Sequence, residues 1–383
     1  MLTTLLITSD FLPMTSGISC QLYYTWRLLP KDKVIILAPK LKGAGLIDKQ
    51  MPVKIIRRIF PVSNVSLLAR LVKMSLLPFY VALLIKKFNI TKLHCSAPMS
   101  TGFCGLILKK IMKMPYVVYV YGGEITKYTK FKPSLFFMKS ILFNAERIIA
   151  NSNYSAGEFI DYFHIPKERF IVVNPGVDTN KFVPGQRLKI LEDKYNLRDK
   201  KVILTVARLA ERKGYDMVLK ALPEVIKEIP DLVYLIVGSG SDEKKLKKLT
   251  QDLKLTDKVI FTGFIRDDEI VSYYQACDLF VMPNRETKGV LEAIEGFGIS
   301  FIEANACGKA VIGGKSGGVT DSIEDGKTGM LVDPLSQKDI ASAIIKLLKD
   351  EQLSKKMGEY ARMRAEKYFK WDNLSKKLED LLD

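Results

Sequence analysis

Short runs of β-branched and other apolar residues alternate with longer segments of helical periodicity along the whole chain. Seven runs in the first half and six in the second have the length of buried strands. They span residues 3–8, 34–38, 53–59, 92–96, 116–121, 147–152, 171–174, 202–207, 233–238, 259–263, 279–283, 310–313 and 329–332. Continuous apolar strands separated by helices are typical of parallel sheets that are buried on both faces. The pattern therefore predicts an α/β protein with doubly wound parallel sheets.

The length of the chain and one turn-rich segment predict two domains. With 383 residues, the chain exceeds the size that a single hydrophobic core usually supports. Residues 174–185 contain two Pro-Gly pairs, which mark a linker. We therefore expect domains at 1–178 and 179–368, and an amphipathic helix at 369–383 that crosses back to the first domain. Doubly wound sheets bind ligands at the carboxyl ends of their strands, so the predicted site is a cleft between the domains.

Composition limits the chemistry that is available to the chain. Hydrophobic residues make up 48% and charged residues 26%, as in globular proteins. The five cysteines are scattered without a Cys-x-x-Cys pair, so neither a disulfide framework nor a zinc site is predicted. Only two histidines are present, which excludes most metal-ligand and histidine-base schemes. No secretory signal is visible, so we expect buried cysteines in the reducing cytoplasm.

Positive charge is concentrated in the first half of the chain. Residues 1–183 hold 25 Lys and Arg against 9 Asp and Glu, whereas residues 184–383 hold 34 against 33. Twelve basic residues and no acidic residue lie from Lys49 to Gly123. A surface of this kind attracts anionic phosphate on lipid or on nucleic acid.

The apolar segment 65–88 favours lipid over nucleic acid. It carries Arg70, Lys73 and Pro78, and its unbroken apolar run at 76–85 is about half of a transmembrane span. Such a helix lies in the membrane interface with its lysines at the headgroups. The alternative is a buried helix flanked by solvated lysines. The interleaved aromatics of a single-strand platform are missing from this region, so we expect an anionic membrane surface as partner and no nucleic acid.

Two carboxylates eight residues apart, Glu295 and Glu303, flank a Gly-Phe-Gly turn. The apolar spacing after Gly298 predicts a helix that starts near Ile299 and carries Glu303 one turn in. Free amides at a helix start entered through glycine form an anion site, and phosphate is the usual ligand. Carboxylates beside phosphate would repel it, so we expect them to accept hydrogen bonds from sugar and ribose hydroxyls. The alternative is a pair of solvated helix-end glutamates.

Two cations follow the predicted strand at 202–207. Arg208 offers a planar fork and Lys213 a point charge, which suit a diphosphate that gains charge as it leaves. The alternative is a solvated basic loop.

Two loops in the first half have glycines at the ends of predicted strands. The first strand leads to Ser16 and Gly17, where backbone amides would approach a phosphate. The run at 116–121 ends in Tyr121 and continues with Gly122, Gly123 and Glu124, and paired glycines there indicate close approach by a substrate. Tyr121 or Glu124 would then contact a sugar. An ordinary strand-to-helix turn is the alternative.

Together these motifs resemble the retaining GT-B glycosyltransferases of the group 1 family, and the resemblance covers essentially the whole chain. It rests on Glu295–Glu303 with Gly-Phe-Gly-Ile, Ala-Arg208-Leu-x-x-x-Lys213-Gly, Asn174-Pro-Gly-Val-Asp and the closing Trp371 helix. The Ser9-Asp-Phe-Leu-Pro start and the stretch from Met282 to Ile299 look most like bacterial phosphatidylinositol mannoside mannosyltransferases.

The resemblance implies roles for individual residues. Arg208 and Lys213 bind the nucleotide diphosphate and assist its departure. Glu295 contacts the donor sugar, and Glu303 binds the ribose hydroxyls. Further implied donor contacts are Phe297, Gly298, Ile299, Gly263, Phe264, Ser16, Gly17, Tyr121, Gly122 and Glu124.

Two positions depart from the family's pattern. Ser16 stands where the family usually has the first glycine of a pair, and Tyr121 replaces a histidine that contacts the donor sugar. Tyrosine donates a hydrogen bond but, unlike histidine, does not take up and release a proton near neutral pH. The second change therefore bears on the rate and on the identity of the sugar more than on the reaction class.

The resemblance predicts a metal-independent, retaining hexosyltransferase without a cofactor. It implies that a hexose moves from a nucleotide-diphosphate sugar, with GDP-mannose favoured, to a lipid or lipid-linked glycan. The protein is then expected to be cytoplasmic and to bind peripherally at the inner face of the membrane. A UDP-sugar used in polysaccharide or cell-envelope glycan assembly is the alternative donor. A non-catalytic protein that binds sugar nucleotides or polyanions is the alternative of another class.

Overall fold

The computed structural model describes residues 3–14, 16–58, 67–128, 132–287 and 294–382, with the side chains of residues 67–75 left out. The chain divides into two compact units, Met1–Gly176 with Trp371–Asp383, and Val177–Lys370. The division falls inside the turn-rich segment 174–185, two residues before the expected boundary at 178. The second crossing falls two residues after the expected boundary at 368.

The first unit is built on a parallel sheet with seven described strands, in the order β3-β2-β1-β4-β5-β6-β7. The strands are β1 (Thr3–Ile7), β2 (Val34–Pro39), β3 (Lys54–Arg58), β4 (Ile90–Cys95), β5 (Tyr116–Val120), β6 (Arg147–Ala150) and β7 (Phe170–Val172). The helices are α1 (Gly17–Trp26), α2 (Ala44–Gln50), α3 (Leu67–Phe88), α4 (Phe103–Met112), α5 (Gly123–Tyr128), α6 (Lys132–Asn144) and α7 (Asn153–Phe163). A π-helical turn at Pro98–Gly102 precedes α4, and a 3₁₀ turn occupies Lys167–Arg169.

The second unit repeats this architecture with six described parallel strands, in the order β10-β9-β8-β11-β12-β13. They are β8 (Lys201–Val206), β9 (Leu232–Val237), β10 (Val259–Gly263), β11 (Leu279–Met282), β12 (Val311–Gly314) and β13 (Gly329–Val332). The helices are α8 (Lys189–Tyr195), α9 (Tyr215–Glu228), α10 (Glu243–Asp252), α11 (Ile270–Ala276), α12 (Ile299–Ala306), α13 (Val319–Ser322), α14 (Gln337–Lys349) and α15 (Glu351–Tyr368). A 3₁₀ turn at Glu211–Lys213 follows β8.

Each sheet is covered on both faces, as the continuous apolar runs predict. In β1, Leu5 and Ile7 pack in one core of the first unit, and Leu6 packs in another. Alternate side chains of a strand point to opposite faces, so both cores use the same strands. All thirteen strands found in the described residues coincide with predicted runs, and the doubly wound fold is confirmed.

The closing helix α16 (Trp371–Glu379) belongs to the first unit and packs on α1. The ring of Trp371 stacks on Tyr24, with centroids 5.2 Å apart. Ser375 donates to the carbonyl of Thr25 at 3.0 Å, and the hydroxyl of Thr4 in β1 donates to Leu382 at 2.9 Å. The last residues of the chain therefore complete the unit that contains the first strand.

Other expectations from composition can be compared with the structure. Cys95, Cys104, Cys277 and Cys307 are buried as expected, and Cys20 is partly buried. No helix among the described residues is long and apolar enough to cross a membrane. In the same residues, no group of histidine, cysteine and acidic side chains is arranged to hold a metal ion.

Candidate active site

The second sheet reverses its strand order between β8 and β11, and the loops after these two strands meet. The amide of Arg285 in the second loop donates to the carbonyl of Arg212 in the first at 2.9 Å. Doubly wound sheets bind ligands outside the carboxyl ends of the strands at such a reversal. The candidate site is therefore formed by these two loops together with the start of α12.

Three donors in the described residues converge on one oxygen of Glu295. Oε2 accepts hydrogen bonds from Arg212 Nη1 and from Lys213 Nζ, the latter at 2.5 Å. Asn284 Nδ2 lies 3.5 Å from the same oxygen. The side chains of Glu295 and Lys213 are only 14% and 9% exposed. The ion pairs are therefore largely shielded from water. Charges in such a shielded environment interact more strongly than charges at a surface.

Glu295 and the two cations of this cluster keep one another ionised. Burial by itself would raise the pKa of Glu295, but Lys213 and Arg212 outweigh it and hold that pKa at about 2. Burial lowers the pKa of Lys213, and Glu295 opposes that change. An unpaired buried lysine would tend to lose its proton, so Glu295 preserves the charge that an anionic ligand needs.

Glu295 has two charged partners that the sequence did not indicate. Within the described residues it accepts from two cations, and its contact with sugar hydroxyls stays a prediction. The cause is the 3₁₀ turn after β8, which brings both Arg212 and Lys213 to the carboxylate. Arg212 was missed, because in the sequence it is one basic residue of a loop and only the fold shows which cation reaches the acid.

The helix start that was predicted near Ile299 is confirmed. Gly298 caps α12 with φ of 88°, and no side-chain cap is found there in the described part of the chain. A Cβ atom at Gly298 would lie 2.6 Å from the ring of Phe301, which is fully buried. The carbonyl of Glu295 accepts from the amide of Gly318 at 2.8 Å. Glycine is thus required at position 298, because the backbone there has a positive φ and because a Cβ would clash with Phe301.

Glu303 lies one turn into α12, as predicted, and its partner is a hydroxyl. The phenol of Tyr274 in α11 donates to Glu303 Oε2 at 2.6 Å. Burial raises the pKa of Glu303, and the bond from Tyr274 opposes that rise. The two glutamates of the motif therefore have different environments, one between cations and one beside a neutral donor.

The other predicted residues of the second unit differ in exposure. Arg208 is exposed just after β8, and its charge contributes to the lowered pKa of Lys213. Gly263 ends β10 with φ of 73°, and Phe264 after it is 74% exposed. Phe297 is 2% exposed and packs against Phe369 of the core, so only its backbone is available to a ligand. Ile299 opens α12 and is partly buried.

Three buried polar atoms in this unit have no hydrogen-bond partner among the described residues. They are Arg212 Nε, Asn284 Oδ1 and Ser316 Oγ. Ser316 lies two residues before Gly318, whose amide binds the carbonyl of Glu295. Buried polar atoms are nearly always paired in folded proteins, so these three have hydrogen-bonding capacity left for water or a polar ligand.

In the first unit, Ser16 caps α1 and also binds an acid. Its hydroxyl donates to Asp10 Oδ1 at 2.9 Å and accepts from the amide of Ser19 at 3.0 Å. Burial raises the pKa of Asp10, and the bond from Ser16 opposes that rise. Gly17 is the first residue of α1 and is exposed. The loop after β1 therefore combines a helix start with a carboxyl group, which the sequence reasoning did not single out.

Tyr121 and Glu124 lie after β5 and interact through the backbone. Both carboxylate oxygens of Glu124 lie 3.1 Å from the amide of Tyr121, and Gly122 between them has φ of 94°. Burial raises the pKa of Glu124 to about 7, against the opposing effect of backbone hydrogen bonds. The hydroxyl of Tyr121 is buried without a partner in the described residues, and burial raises its pKa, with smaller contributions from Tyr119, Glu124 and Asp10. The loop after β5 therefore combines a buried carboxyl group with a buried phenol.

Comparison with known proteins agrees with this architecture. A model of the family "Glycosyl transferases group 1" matches residues 189–364, and a model of "Glycosyltransferase Family 4" matches residues 17–181. HepE of Anabaena, crystallised in complex with UDP, superposes with a TM-score of 0.83 at 21% identity. That alignment covers 100% of this chain and 99% of the other, and at this identity it shows the fold alone.

Two relatives named as mannosyltransferases align over nearly all and over part of the chain. The chain is 30% identical over 387 residues to the GDP-mannose-dependent alpha-(1-6)-phosphatidylinositol monomannoside mannosyltransferase of Mycolicibacterium smegmatis, with 99% of this chain and 97% of the relative covered. It is 35% identical over 232 residues to the protein of the same name from Mycobacterium tuberculosis, with 60% of each covered. The chain therefore belongs to the group 1 glycosyltransferases and is a glycosyltransferase of GT-B fold.

Proposed function

We propose that this enzyme transfers a hexose from a nucleotide-diphosphate sugar with retention, and that its second unit binds the donor. The observation that carries the proposal is the convergence of Arg212 and Lys213 on Glu295 beside the glycine-capped start of α12. Buried cations and free helix-start amides stabilise a diphosphate as it takes up charge on leaving. This arrangement supplies electrostatic stabilisation without needing a histidine base.

Each part of the donor has a proposed partner. Arg208 and Lys213 bind the diphosphate, with the amides of Gly298 and Ile299 beside it. Glu295 accepts from hydroxyls of the sugar. Glu303 accepts from the ribose hydroxyls, with Tyr274 holding the carboxylate in place. The remaining proposed donor contacts are the backbone of Phe297, Gly263 with the exposed ring of Phe264 near the base, and Ser16, Gly17, Tyr121, Gly122 and Glu124 of the first unit.

The chemistry follows from these charges. As the bond between the sugar and the phosphate breaks, negative charge develops on the leaving diphosphate, and Arg208 and Lys213 stabilise it. The acceptor hydroxyl attacks from the same face of the sugar, and the leaving phosphate takes its proton. We propose that no metal ion takes part. GDP-mannose is the favoured donor because two relatives at 30% and 35% identity are GDP-mannose-dependent.

The proposed acceptor is a lipid or lipid-linked glycan, and the surface of the first unit supports a membrane location. Helices α3, α4 and α6 pack side by side and carry no acidic residue. Their large exposed apolar side chains, here called the apolar face, are Leu76, Phe79, Leu83, Ile111, Phe136, Phe137 and Phe143. Exposed lysines on the same helices are Lys86, Lys87, Lys109, Lys110, Lys132 and Lys139. Apolar anchors among lysines suit an anionic membrane interface, where the enzyme would bind peripherally from the cytoplasm.

The first test is a thermal-shift screen of GDP, UDP, ADP and their sugar conjugates without metal, because a ligand that binds only the native state raises the melting temperature. A shift with GDP or GDP-mannose supports assignment as a mannosyltransferase. A shift with UDP-sugars would instead assign a UDP-sugar as the donor. No shift with any nucleotide would reject the donor site and favour a polyanion-binding protein.

Turnover then separates an enzyme from a protein that only binds nucleotide. Transfer or donor hydrolysis above background excludes the non-catalytic alternative. Arg208→Ala is expected to reduce kcat by about 100-fold, the usual effect of removing one donor from a developing anion. Unchanged turnover in this variant would show that the role given to Arg208 is wrong.

A further inference from the structure

Glu295 binds two cations, Arg212 and Lys213, and the proposed function assigns Lys213 to the diphosphate of the donor. Lys213 Nζ lies 2.5 Å from Glu295 Oε2, and Arg212 Nη1 binds the same oxygen. The Lys213 ammonium has two further N–H donors, and a diphosphate that it binds competes with Glu295 for its charge. Binding of the donor therefore exchanges part of one ion pair for another.

That exchange would leave Glu295 as a buried anion if Lys213 were its only cation. The carboxylate side chain is 14% exposed, so water replaces a lost partner poorly. Breaking one side of a buried ion pair is strongly unfavourable, because the remaining charge stays desolvated. Asn284 is a weak substitute, since it is neutral and its Nδ2 lies 3.5 Å away.

From this geometry we propose that Arg212 is a positioning residue that keeps Glu295 paired while Lys213 turns to the diphosphate. The inference rests on the proposed function, because it presumes a diphosphate donor. Arg212 then acts through Glu295 and Lys213 and does not contact the phosphates itself.

The surroundings of Arg212 hold it in place for this role. Its carbonyl accepts from the amide of Arg285 at 2.9 Å, and Arg285 is in turn bound by Asp216 at 2.8 and 3.2 Å. The Arg212 side chain is 15% exposed, which favours a guanidinium over a mobile lysine as the constant partner of a carboxylate. The backbone that carries Arg212 is thus tied to the neighbouring loop whichever ligand Lys213 binds.

The test is a double-mutant cycle between Arg212 and Glu295, read by calorimetric binding of GDP and UDP to the full chain. Arg212→Gln forces Lys213 to remain with Glu295, so nucleotide affinity should fall by about tenfold or more. Glu295→Gln leaves both cations to the nucleotide, whose diphosphate then replaces Glu295 as the anion that keeps Lys213 charged, so affinity should stay equal or rise. In the Glu295→Gln background, Arg212→Gln should have no further effect, because no anion is left without a partner.

Two other variants complete the design. Arg198→Gln is the matched control, since Arg198 lies in the same unit and its side chain is 66% exposed. It should bind nucleotide as the wild type does. Arg212→Lys keeps a positive charge beside Glu295 and should retain affinity within about threefold. It also keeps the test valid if Arg212→Gln fails to fold.

Several outcomes would overturn the inference. An equal loss of affinity from Arg212→Gln in both backgrounds would mean that Arg212 contacts the phosphates directly. No loss in the wild-type background, or a large loss in folded Arg212→Lys, would also reject it. If the wild-type chain binds neither nucleotide, the proposed function fails and the inference fails with it. If the wild type binds and only the cycle disagrees, the proposed function stands.

Discussion

Among single residues, the pKa of Glu303 depends on the hydroxyl of Tyr274. Burial raises its pKa, and the bond from Tyr274 is the main opposing influence. To accept hydrogen bonds from ribose hydroxyls with full strength, Glu303 must be ionised. The site is therefore expected to bind nucleotide better above the pKa of Glu303 than below it.

Tyr274→Phe should make nucleotide binding more sensitive to acid. Loss of the 2.6 Å bond removes an interaction that favours the carboxylate, so the pKa of Glu303 rises further and protonation begins at higher pH. We expect nucleotide affinity to begin to fall at a higher pH than in the wild type. Tyr195→Phe is the control, since its hydroxyl lies 3.0 Å from Tyr273 of the same unit. Equal pH dependence in Tyr274→Phe and the wild type would contradict the prediction.

Glu124 makes a prediction about stability rather than binding. Its pKa is raised from 4.5 to about 7 by burial, so the folded chain holds this proton more tightly than the unfolded chain does. The group's stabilising contribution is thus present below pH 4.5 and is lost as the pH rises through 7. Glu124→Gln should weaken the fall in the free energy of unfolding between pH 5 and pH 8, by about 2–3 kcal/mol. Urea denaturation at both pH values measures this, and an unchanged pH dependence would refute the assignment.

The sequence indicated individual site residues unevenly. Glu303 and Gly298 were placed correctly because helical periodicity and glycine have local meaning. Arg212 and Asp10 were missed because their importance comes from partners 83 and 6 residues away, which only the folded chain brings into contact. The buried hydroxyl of Tyr121, which has no partner in the part of the chain that the structure describes, could likewise not be predicted from the order of residues.

For the elements, the sequence was more informative. The predicted runs locate the described strands to within about two residues, because buried parallel strands are apolar on both faces and are bounded by turns. Helix α12 was located from its glycine entrance. What sequence alone could not provide was the order of strands in each sheet, which decides that the loops after β8 and β11 are neighbours.

The start of α12 can be tested by comparing two glycines. Gly298 and Gly326 both have a positive φ, of 88° and 74°, but only at Gly298 would a Cβ meet a side chain, that of Phe301. Gly326→Ala should lower the free energy of unfolding by about 1 kcal/mol through backbone strain alone. Gly298→Ala should lower it by about 3 kcal/mol, since it adds a clash in the core. Urea denaturation compares them, and equal losses would mean that Phe301 moves aside without penalty.

The closing helix makes a second prediction about an element. Trp371 is 7% exposed, stacks on Tyr24 and fills the space beside Gly176. Trp371→Ala should destabilise the first unit by about 3–5 kcal/mol. The exposed Tyr368, at 54%, supplies the control Tyr368→Ala, for which little change is expected.

The chain itself provides the readout for this variant. Its two tryptophans, Trp26 and Trp371, both belong to the first unit, so the remaining Trp26 reports unfolding of that unit by fluorescence. Hydrogen exchange of β8 and β9 would report the second unit. Equal destabilisation of both units would show that they unfold together.

At the scale of the whole molecule, the uneven charge predicts where the enzyme binds. The excess of basic over acidic residues lies almost entirely in residues 1–183, the half that carries the apolar face. Phe79 and Phe136 of that face are 69% and 68% exposed. Replacing both by Asn should reduce flotation with vesicles of anionic phospholipid by about tenfold, since each ring buries apolar area on binding.

One control for flotation is a variant of the second unit, and another is binding to RNA. Ile190 of α8 is 71% exposed, and Ile190→Asn should leave flotation unchanged. Vesicles of zwitterionic lipid should bind less, and added salt should weaken binding to anionic vesicles. Retention of RNA without flotation on lipid would contradict the membrane assignment and favour nucleic acid.

The path of the chain through the two units also matters while the protein is being made. The first unit contains β1 and is completed by α16, and the second unit lies wholly between them as one uninterrupted segment. During synthesis, therefore, the unit that emerges first from the ribosome waits for the whole of the other before its final helix arrives, a delay on the order of ten seconds or more. Until then, the surface of α1 that α16 covers stays open to water and to chaperones. The second unit, although its synthesis starts later, is therefore complete before the first unit is.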